Sequence, residues 1–176
     1  MKCLIIDVVH SSIAEELSKY MQVDTKMLPT QEELATLIPD YDVLIMRVDP
    51  AINKTILDAA NLKVIGVCSV GLNHIDMETA KAKGIQVFNA PGLNANAVAE
   101  LTFSKMLDLS RHTIPANYDV KVNKTWDKYK FVGRELRGKT LGILGFGRIG
   151  RRVGELGRAF KMNVIAYDPY LKPEDF

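Results

Sequence analysis

The chain has 176 residues, of which 47% are hydrophobic and 25% charged, with 23 Lys+Arg against 21 Asp+Glu. That length suits one large domain or one and a half ordinary ones, able to bury roughly 70% of the surface its unfolded form exposes, and the composition excludes a disordered chain, a collagen-like fibre and a low-complexity tail. The formal charge of +2 exerts no global pull toward nucleic acid or anionic membrane, and the two cysteines, Cys3 and Cys68, are too few for a disulfide framework.

Short apolar runs recur through the first ninety residues: Cys3–Ile6, Val43–Met46, Val64–Val67 and Ile85–Phe88. Each is followed by a polar break and a helix-period segment, with Ile13, Leu17 and Tyr20, then Leu34, Leu37 and Ile38, then Ile52, Ile56 and Leu57 as the apolar positions. Continuous apolar strands are those covered on both faces, the parallel sheet of an α/β domain. Gln22–Leu28 predicts a weaker strand at an edge. The longest apolar stretches are of strand length, far short of a spanning helix, and Met1–Asp7 reads as a core strand rather than a signal-peptide core. The expectation is a cytoplasmic protein without membrane attachment.

Residues 94–112 predict a long helix. Asn94 or Asn96 can cap it, Ala97–Arg111 lacks Pro and Gly, and Val98, Leu101, Met106 and Leu109 are its apolar positions. Its length of about 24 Å would cross from one domain to another. Residues 111–139 hold eight Lys/Arg against three Asp/Glu, with Trp126, Tyr129 and Phe131 interleaved. Such a stretch can bind nucleic acid. Acids interrupt the charge and no nucleic-acid motif accompanies it, so a surface arm that docks on another subunit is the preferred reading. A second α/β unit then begins, with strand Lys139–Leu144, helix Arg148–Phe160 and strand Asn163–Tyr167.

The chemical signal with the most context is Gly145-Phe146-Gly147-Arg148-Ile149-Gly150. An apolar strand precedes it, a helix follows, and a second strand ends in an acid. Gly145 permits the tight turn, Gly147 leaves room for a pyrophosphate against the backbone, and Gly150 lets the helix lie on the strand. Amides and the positive dipole end of the helix face the phosphates, and Arg148 and Ile149 sit in that turn. Gly150, Gly154 and Gly157 share a helix face, which implies a close approach to the sheet. Asp168, 18 residues after Gly150, is placed to accept ribose hydroxyls and repel a 2′-phosphate, so the expected cofactor is NAD rather than NADP.

A second loop, Cys68-Ser69-Val70-Gly71-Leu72-Asn73-His74-Ile75-Asp76, follows the strand Val64–Val67. Amides beside Gly71 can form an anion nest. Cys68 or Ser69 as a nucleophile with His74 as base is a weak alternative, because no strained nucleophile turn surrounds them. Cys68 as a buried thiol and Asp76 as a helix cap are the structural readings. His10 and His112 stand alone, and no metal site is read.

These segments together resemble the D-isomer-specific 2-hydroxyacid dehydrogenases, closest in pattern to phosphoglycerate dehydrogenases. The resemblance runs through residues 69–76, Gly84-Ile85-Gln86-Val87-Phe88-Asn89-Ala90-Pro91-Gly92, Val98-Ala99-Glu100-Leu101-Thr102, residues 138–150, and Val164, Tyr167, Asp168 and Pro169. It implies a flavodoxin-like parallel-sheet substrate domain over 1–92, a linking helix and dimerisation arm over 93–137, and the start of a Rossmann NAD-binding domain over 138–176. It implies hydride transfer between NAD and a small 2-hydroxy or 2-keto acid, held by Arg47, Ser69, Val70 and Gly71. Val70, Thr102, Gly145, Gly147, Arg148, Ile149, Gly150 and Asp168 would hold the cofactor, and a homodimer would form through 97–137. Where the family often has an arginine this chain has Val67, and where it often has an aspartate, Asn73. One anion contact, Arg47, is kept and one is lost, so the resemblance does not single out 3-phosphoglycerate. The family's catalytic arginine, glutamate and histidine lie beyond the second Rossmann strand. Residues 1–176 are therefore expected to hold no catalytic residue and to be inactive alone, as a shortened chain, a cleaved fragment or a truncated gene product. The alternative is a non-catalytic NAD-binding or dimerisation module.

Overall fold

The computed structural model describes residues 1–172 and Glu174. The chain divides into two compact units, Met1–Pro91 and a second beginning at Gly92.

The first unit alternates strands and helices: β1 (Lys2–Ile5), α1 (Ser11–Leu17), β2 (Gln22–Thr25), α2 (Gln31–Leu37), β3 (Val43–Met46), α3 (Lys54–Ala59), β4 (Val64–Val67), α4 (Met77–Ala82) and β5 (Gln86–Asn89). All strand pairs are parallel, in the order β2-β1-β3-β4-β5. This is the flavodoxin-like order, whose ligand crevice lies outside the carboxyl ends of the strands. Alternation along the strands divides the core. Leu4, Ile6, Leu44, Met46, Ile65 and Val67 pack with α2, α3 and α4 on one face, and Cys3, Ile5, Val43 and Ile45 pack with α1 on the other. At Gly66 an added Cβ would lie 2.6 Å from Ile45 Cδ1, so the glycine keeps β4 tight against β3.

Local chemistry sets the helix starts. Thr30 and Glu33 form a reciprocal capping box at α2, Asn53 caps α3, and the Asp76 carboxylate accepts the Thr79 amide at 3.0 Å to cap α4. His10 caps α1 through its ring. Lys83 donates to the carbonyls of Leu57, Asp58 and Ala60 and so closes the end of α3.

Three periodicity assignments are corrected. Tyr20 lies beyond α1 and is exposed, because that helix stops at Leu17. Ile52 is not helical: it precedes α3, is fully buried and bridges to Ile75 in a short parallel pair. Phe88 is exposed, because β5 is an edge strand with only half its residues covered.

The second unit holds α5 (Ala95–Arg111), α6 (Thr113–Tyr118), a π-helical turn Asp119–Asn123, and then β6 (Thr140–Leu144), α7 (Arg148–Ala159) and β7 (Asn163–Tyr167). Asn94 occupies the cap position of α5 but makes no side-chain cap bond. The buried face of α5 is Ala95, Ala99 and Phe103; Leu101 and Leu109 are exposed, which corrects the assignment of apolar positions. Phe103 stacks on Phe160, ring centroids 5.0 Å apart, within a core that includes Ile143, Phe146 and Val153. β6 and β7 pair in parallel from Thr140↔Asn163 to Leu144↔Tyr167. Among the described residues no helix is long and apolar enough to cross a membrane.

Candidate functional site

In the second unit the glycine turn links β6 to α7. Gly145 has φ +91°, a backbone conformation that favours glycine, and its amide donates to the Tyr167 carbonyl at 2.8 Å. At Gly147 an added Cβ would meet no protein atom within 4 Å, so the space above the turn is open. Gly150 is the reverse case: a Cβ there would run into the Gly145 carbonyl oxygen and lie 3.2 Å from Ile143 Cγ2. One and two turns on, Gly154 faces Phe146 and Ile143, and Gly157 faces Leu141 and Val164 at 2.9 Å each. α7 therefore lies as close to the strands as a backbone can, and its first turn, with Ile149, presents amides that have no acceptor one turn earlier.

Asp168 stands where β7 ends. Its Oδ2 accepts the Phe146 amide at 2.8 Å and its Oδ1 the Tyr170 amide at 2.9 Å. A carboxylate has about four lone-pair sites, so both oxygens keep capacity for ligand hydroxyls. The Arg148 side chain lies over Gly92, whose added Cβ would come 2.5 Å from Arg148 Cδ. The Arg151 guanidinium sits 5.1 Å above the Phe146 ring. Together Gly92, Asn96, Arg148, Arg151, Arg152 and Glu155 border an open groove of about 390 Å³. Thr102 is half-buried on α5 and its hydroxyl donates back to the Val98 carbonyl at 2.8 Å.

In the first unit Arg47, Ser69, Val70 and Gly71 come together at the carboxyl ends of β3 and β4. The Ser69 hydroxyl donates to the Arg47 carbonyl at 3.0 Å and lies 3.3 Å from the Gly71 carbonyl. Asn89 Nδ2 donates to the Val70 carbonyl at 2.7 Å, and the Ala90 amide to the Ser69 carbonyl at 3.0 Å. Among the described residues the amides of Val70 and Gly71 donate to no protein acceptor, and no ion pair engages Arg47. The loop thus offers free donors and one cation.

The nucleophile alternative does not assemble. Ser69 spends its proton on a carbonyl, and His74 Nε2 is buried without a hydrogen-bond partner. Burial pushes the Cys68 thiol up, with the Asp7 charge adding to it and Arg47 opposing.

Two contributors escaped the sequence reading. Asn89 braces the loop from β5. Asp7, 8% exposed, accepts amides from Val8 at 2.6 Å, Arg47 at 3.0 Å, Val48 at 2.8 Å and Asp49 at 3.4 Å. Burial alone would raise its pKa, but the four backbone donors together hold the carboxyl below its ordinary value. Its signal was an acid directly after a continuous apolar run, at the end of a strand where ligands bind.

The first unit has a parallel five-stranded sheet with free amides at its strand ends, and the second has a strand–glycine turn–helix unit closed by an acid; both are of the nucleotide-binding α/β class. The chain belongs to the D-isomer specific 2-hydroxyacid dehydrogenases, whose catalytic-domain model matches residues 3–163. It is 41% identical over 175 residues to a D-3-phosphoglycerate dehydrogenase of Methanocaldococcus jannaschii, covering 99% of this chain and 33% of that protein. It is 46% identical over 145 residues to a hydroxypyruvate reductase of Thermotoga maritima, covering 82% and 47%. The solved structure of NAD+-bound 3-phosphoglycerate dehydrogenase from Entamoeba histolytica superposes with a TM-score of 0.79 at 29% identity, covering 99% of this chain and 56% of that one. The chain spans between a third and a half of the length of these two curated relatives.

Proposed function

We propose that the chain carries the substrate-acid site and the dinucleotide turn of an NAD-dependent D-2-hydroxyacid dehydrogenase. The observation that supports this most directly is the contrast between Gly147, open above its Cα, and Gly150, pressed on the Gly145 carbonyl. That pairing gives a pyrophosphate access to the backbone while the helix stays packed. Gly145, Gly147, the backbone of Arg148 and Ile149, and Gly150 take the phosphates, and Asp168 takes the ribose hydroxyls and excludes a 2′-phosphate. Val70 and Thr102 complete the cofactor contacts. Bound there, the nicotinamide supplies the hydride donor or acceptor.

Arg47, Ser69, Val70 and Gly71 hold the substrate carboxylate: the loop amides donate hydrogen bonds and the guanidinium supplies the charge. The substrate is a small 2-hydroxy or 2-keto acid. D-3-phosphoglycerate and hydroxypyruvate, for which the relatives above are named, are the two to compare first. A cytoplasmic homodimer through residues 97–137 is part of the same reading.

Residues 1–176 include none of the proton-transferring groups of the family, so a preparation of these residues alone turns over no substrate. The experiment is an NADH titration followed by nicotinamide fluorescence, with NADPH as comparison, and an NADH-oxidation assay with glyoxylate, pyruvate, hydroxypyruvate and phosphohydroxypyruvate. Saturable NADH binding, weaker NADPH binding and a weakening of both in Gly147→Ala are expected. Absence of NADH binding sinks the cofactor assignment, and turnover by residues 1–176 sinks the inactivity.

A further inference from the structure

We infer that Asp7 is a positioning residue for the acid site, holding Arg47 in place through the Arg47 peptide rather than through its side chain. The inference rests on the reading of Arg47 as the anion contact.

Both ends of the Arg47 backbone are held by different strands. Its amide donates to Asp7 Oδ2, at the end of β1, and its carbonyl accepts from the Ser69 hydroxyl, at the end of β4. The same Asp7 oxygen takes the next two amides, of Val48 and Asp49, while Oδ1 takes Val8. One buried carboxylate therefore gathers three successive amides of the loop that leaves β3. Such a turn of amides around one anion has few alternative conformations, because any rotation gives up a charge-assisted hydrogen bond to the buried carboxylate.

The charge arrangement matters as much as the geometry. A buried carboxylate close to a guanidinium ordinarily forms a bidentate pair, which would consume the arginine. Here four backbone amides engage Asp7, and among the described residues no ion pair takes Arg47. Arg47 is exposed, on a stem whose root is fixed. The carboxylate thus fixes where the cation begins without neutralising it, and Ser69 carries the same constraint into the anion loop.

Asp7→Asn keeps the shape, removes the charge and turns one acceptor into a donor facing amides. The test follows the Val70 and Gly71 amide shifts of the chain on titration with D-glycerate, in wild type, Asp7→Asn, Arg47→Ala and the double variant. The expected weakening in Asp7→Asn is about tenfold, as when the competent loop conformer falls to about a tenth of the population. In the Arg47→Ala background the same substitution should add nothing, because its effect passes through Arg47. A merely destabilising change would weaken binding in both backgrounds. Asp7→Ser, which keeps an oxygen acceptor and lies outside the anion loop, serves if Asp7→Asn does not fold, with the same epistasis expected. Wild-type affinity in Asp7→Asn, or losses that multiply in the double variant, overturn the inference alone. Absence of D-glycerate shifts in wild type, or wild-type affinity in Arg47→Ala, overturns the reading of the site itself and the inference with it.

Discussion

The carboxylate of Asp168 accepts the amide hydrogen of Phe146 at 2.8 Å, joining the end of β7 to the centre of the glycine turn. A residue placed to choose the cofactor is thereby also part of the turn that would hold it. The two roles separate by substitution. Asp168→Asn keeps an oxygen that can accept the Phe146 amide, whereas Asp168→Ala leaves that amide, on a buried residue, without its acceptor. Asp168→Ala is expected to cost about 1–2 kcal/mol of stability and Asp168→Asn clearly less. Both should weaken NADH and improve NADPH relative to wild type. Thermal unfolding and paired NADH and NADPH titrations check this; NADPH binding equally poor in all three proteins would place the ribose contact elsewhere.

Two glycines one turn apart should respond oppositely. Gly147→Ala adds a methyl into open space at φ −74°. It should leave the unfolding midpoint nearly unchanged while weakening NADH. Gly150→Ala drives a methyl into the Gly145 carbonyl, which backbone must yield to accommodate, and should cost about 1–3 kcal/mol. Unfolding curves and NADH titrations of the pair give the answer. Equal loss of stability in both would mean that the turn tolerates neither for packing reasons alone.

Much of this arrangement was legible in the sequence, because it follows from periodicity and from glycine. Continuous apolar runs marked β1, β3 and β4, and the glycine spacing placed the turn and the face of α7 that meets the strands. What escaped is tertiary. Ile52 sits at a helix-like spacing from Ile56, yet its partner is Ile75, more than twenty residues away. Phe103, rather than Leu101 or Leu109, is the buried anchor of α5, because the stacked ring of Phe160 fixes the helix's rotation. Asp7 became a site residue only when the amides of Arg47, Val48 and Asp49 were seen around it.

Asp7 also gives a pH signature. Its carboxyl is held below its ordinary value of 3.8, burial being outweighed by four amides. The unfolded chain therefore takes up the proton first as pH falls. The stability Asp7 contributes is fully present above its unfolded pKa and is lost as pH drops through its folded value. Urea midpoints measured from neutral pH down to about 3 should fall more steeply in wild type than in Asp7→Asn. Parallel curves would show that the carboxylate is not coupled to folding.

Burial holds both thiols in the neutral form, raising Cys3 to about 11 and Cys68 above its ordinary value. The thiolate is the reactive species, so both cysteines should react with iodoacetamide at pH 8 far more slowly in the folded chain than in urea. Rapid native-state labelling of Cys68 would mean that its loop opens, and with it the clamp on Arg47.

The last prediction concerns association. One face of the β6–β7 pair packs Leu141, Ile143, Val164 and Ala166 into the core. Because side chains alternate along a strand, the other face presents Leu144, Ile165 and Tyr167, which are 89%, 61% and 63% exposed. The segment after α6 adds Trp126, 83% exposed, with Tyr129 and Val132. Exposed apolar surface of this kind marks an interaction site or an aggregation liability, and the open edges of the β6–β7 pair are templates for pairing. Each large apolar side chain removed from water contributes about 1.5–3 kcal/mol, so a contact using several of them can outweigh the cost of association. Residues 1–176 should therefore show a mass above the monomer that rises with concentration in light scattering. Ile165→Lys and Trp126→Ser test the two surfaces separately. If the sheet face drives association, Ile165→Lys restores the monomer and Trp126→Ser does not; if the arm drives it, the reverse holds. A monodisperse monomer in the wild-type chain at every concentration would show that neither surface is adhesive.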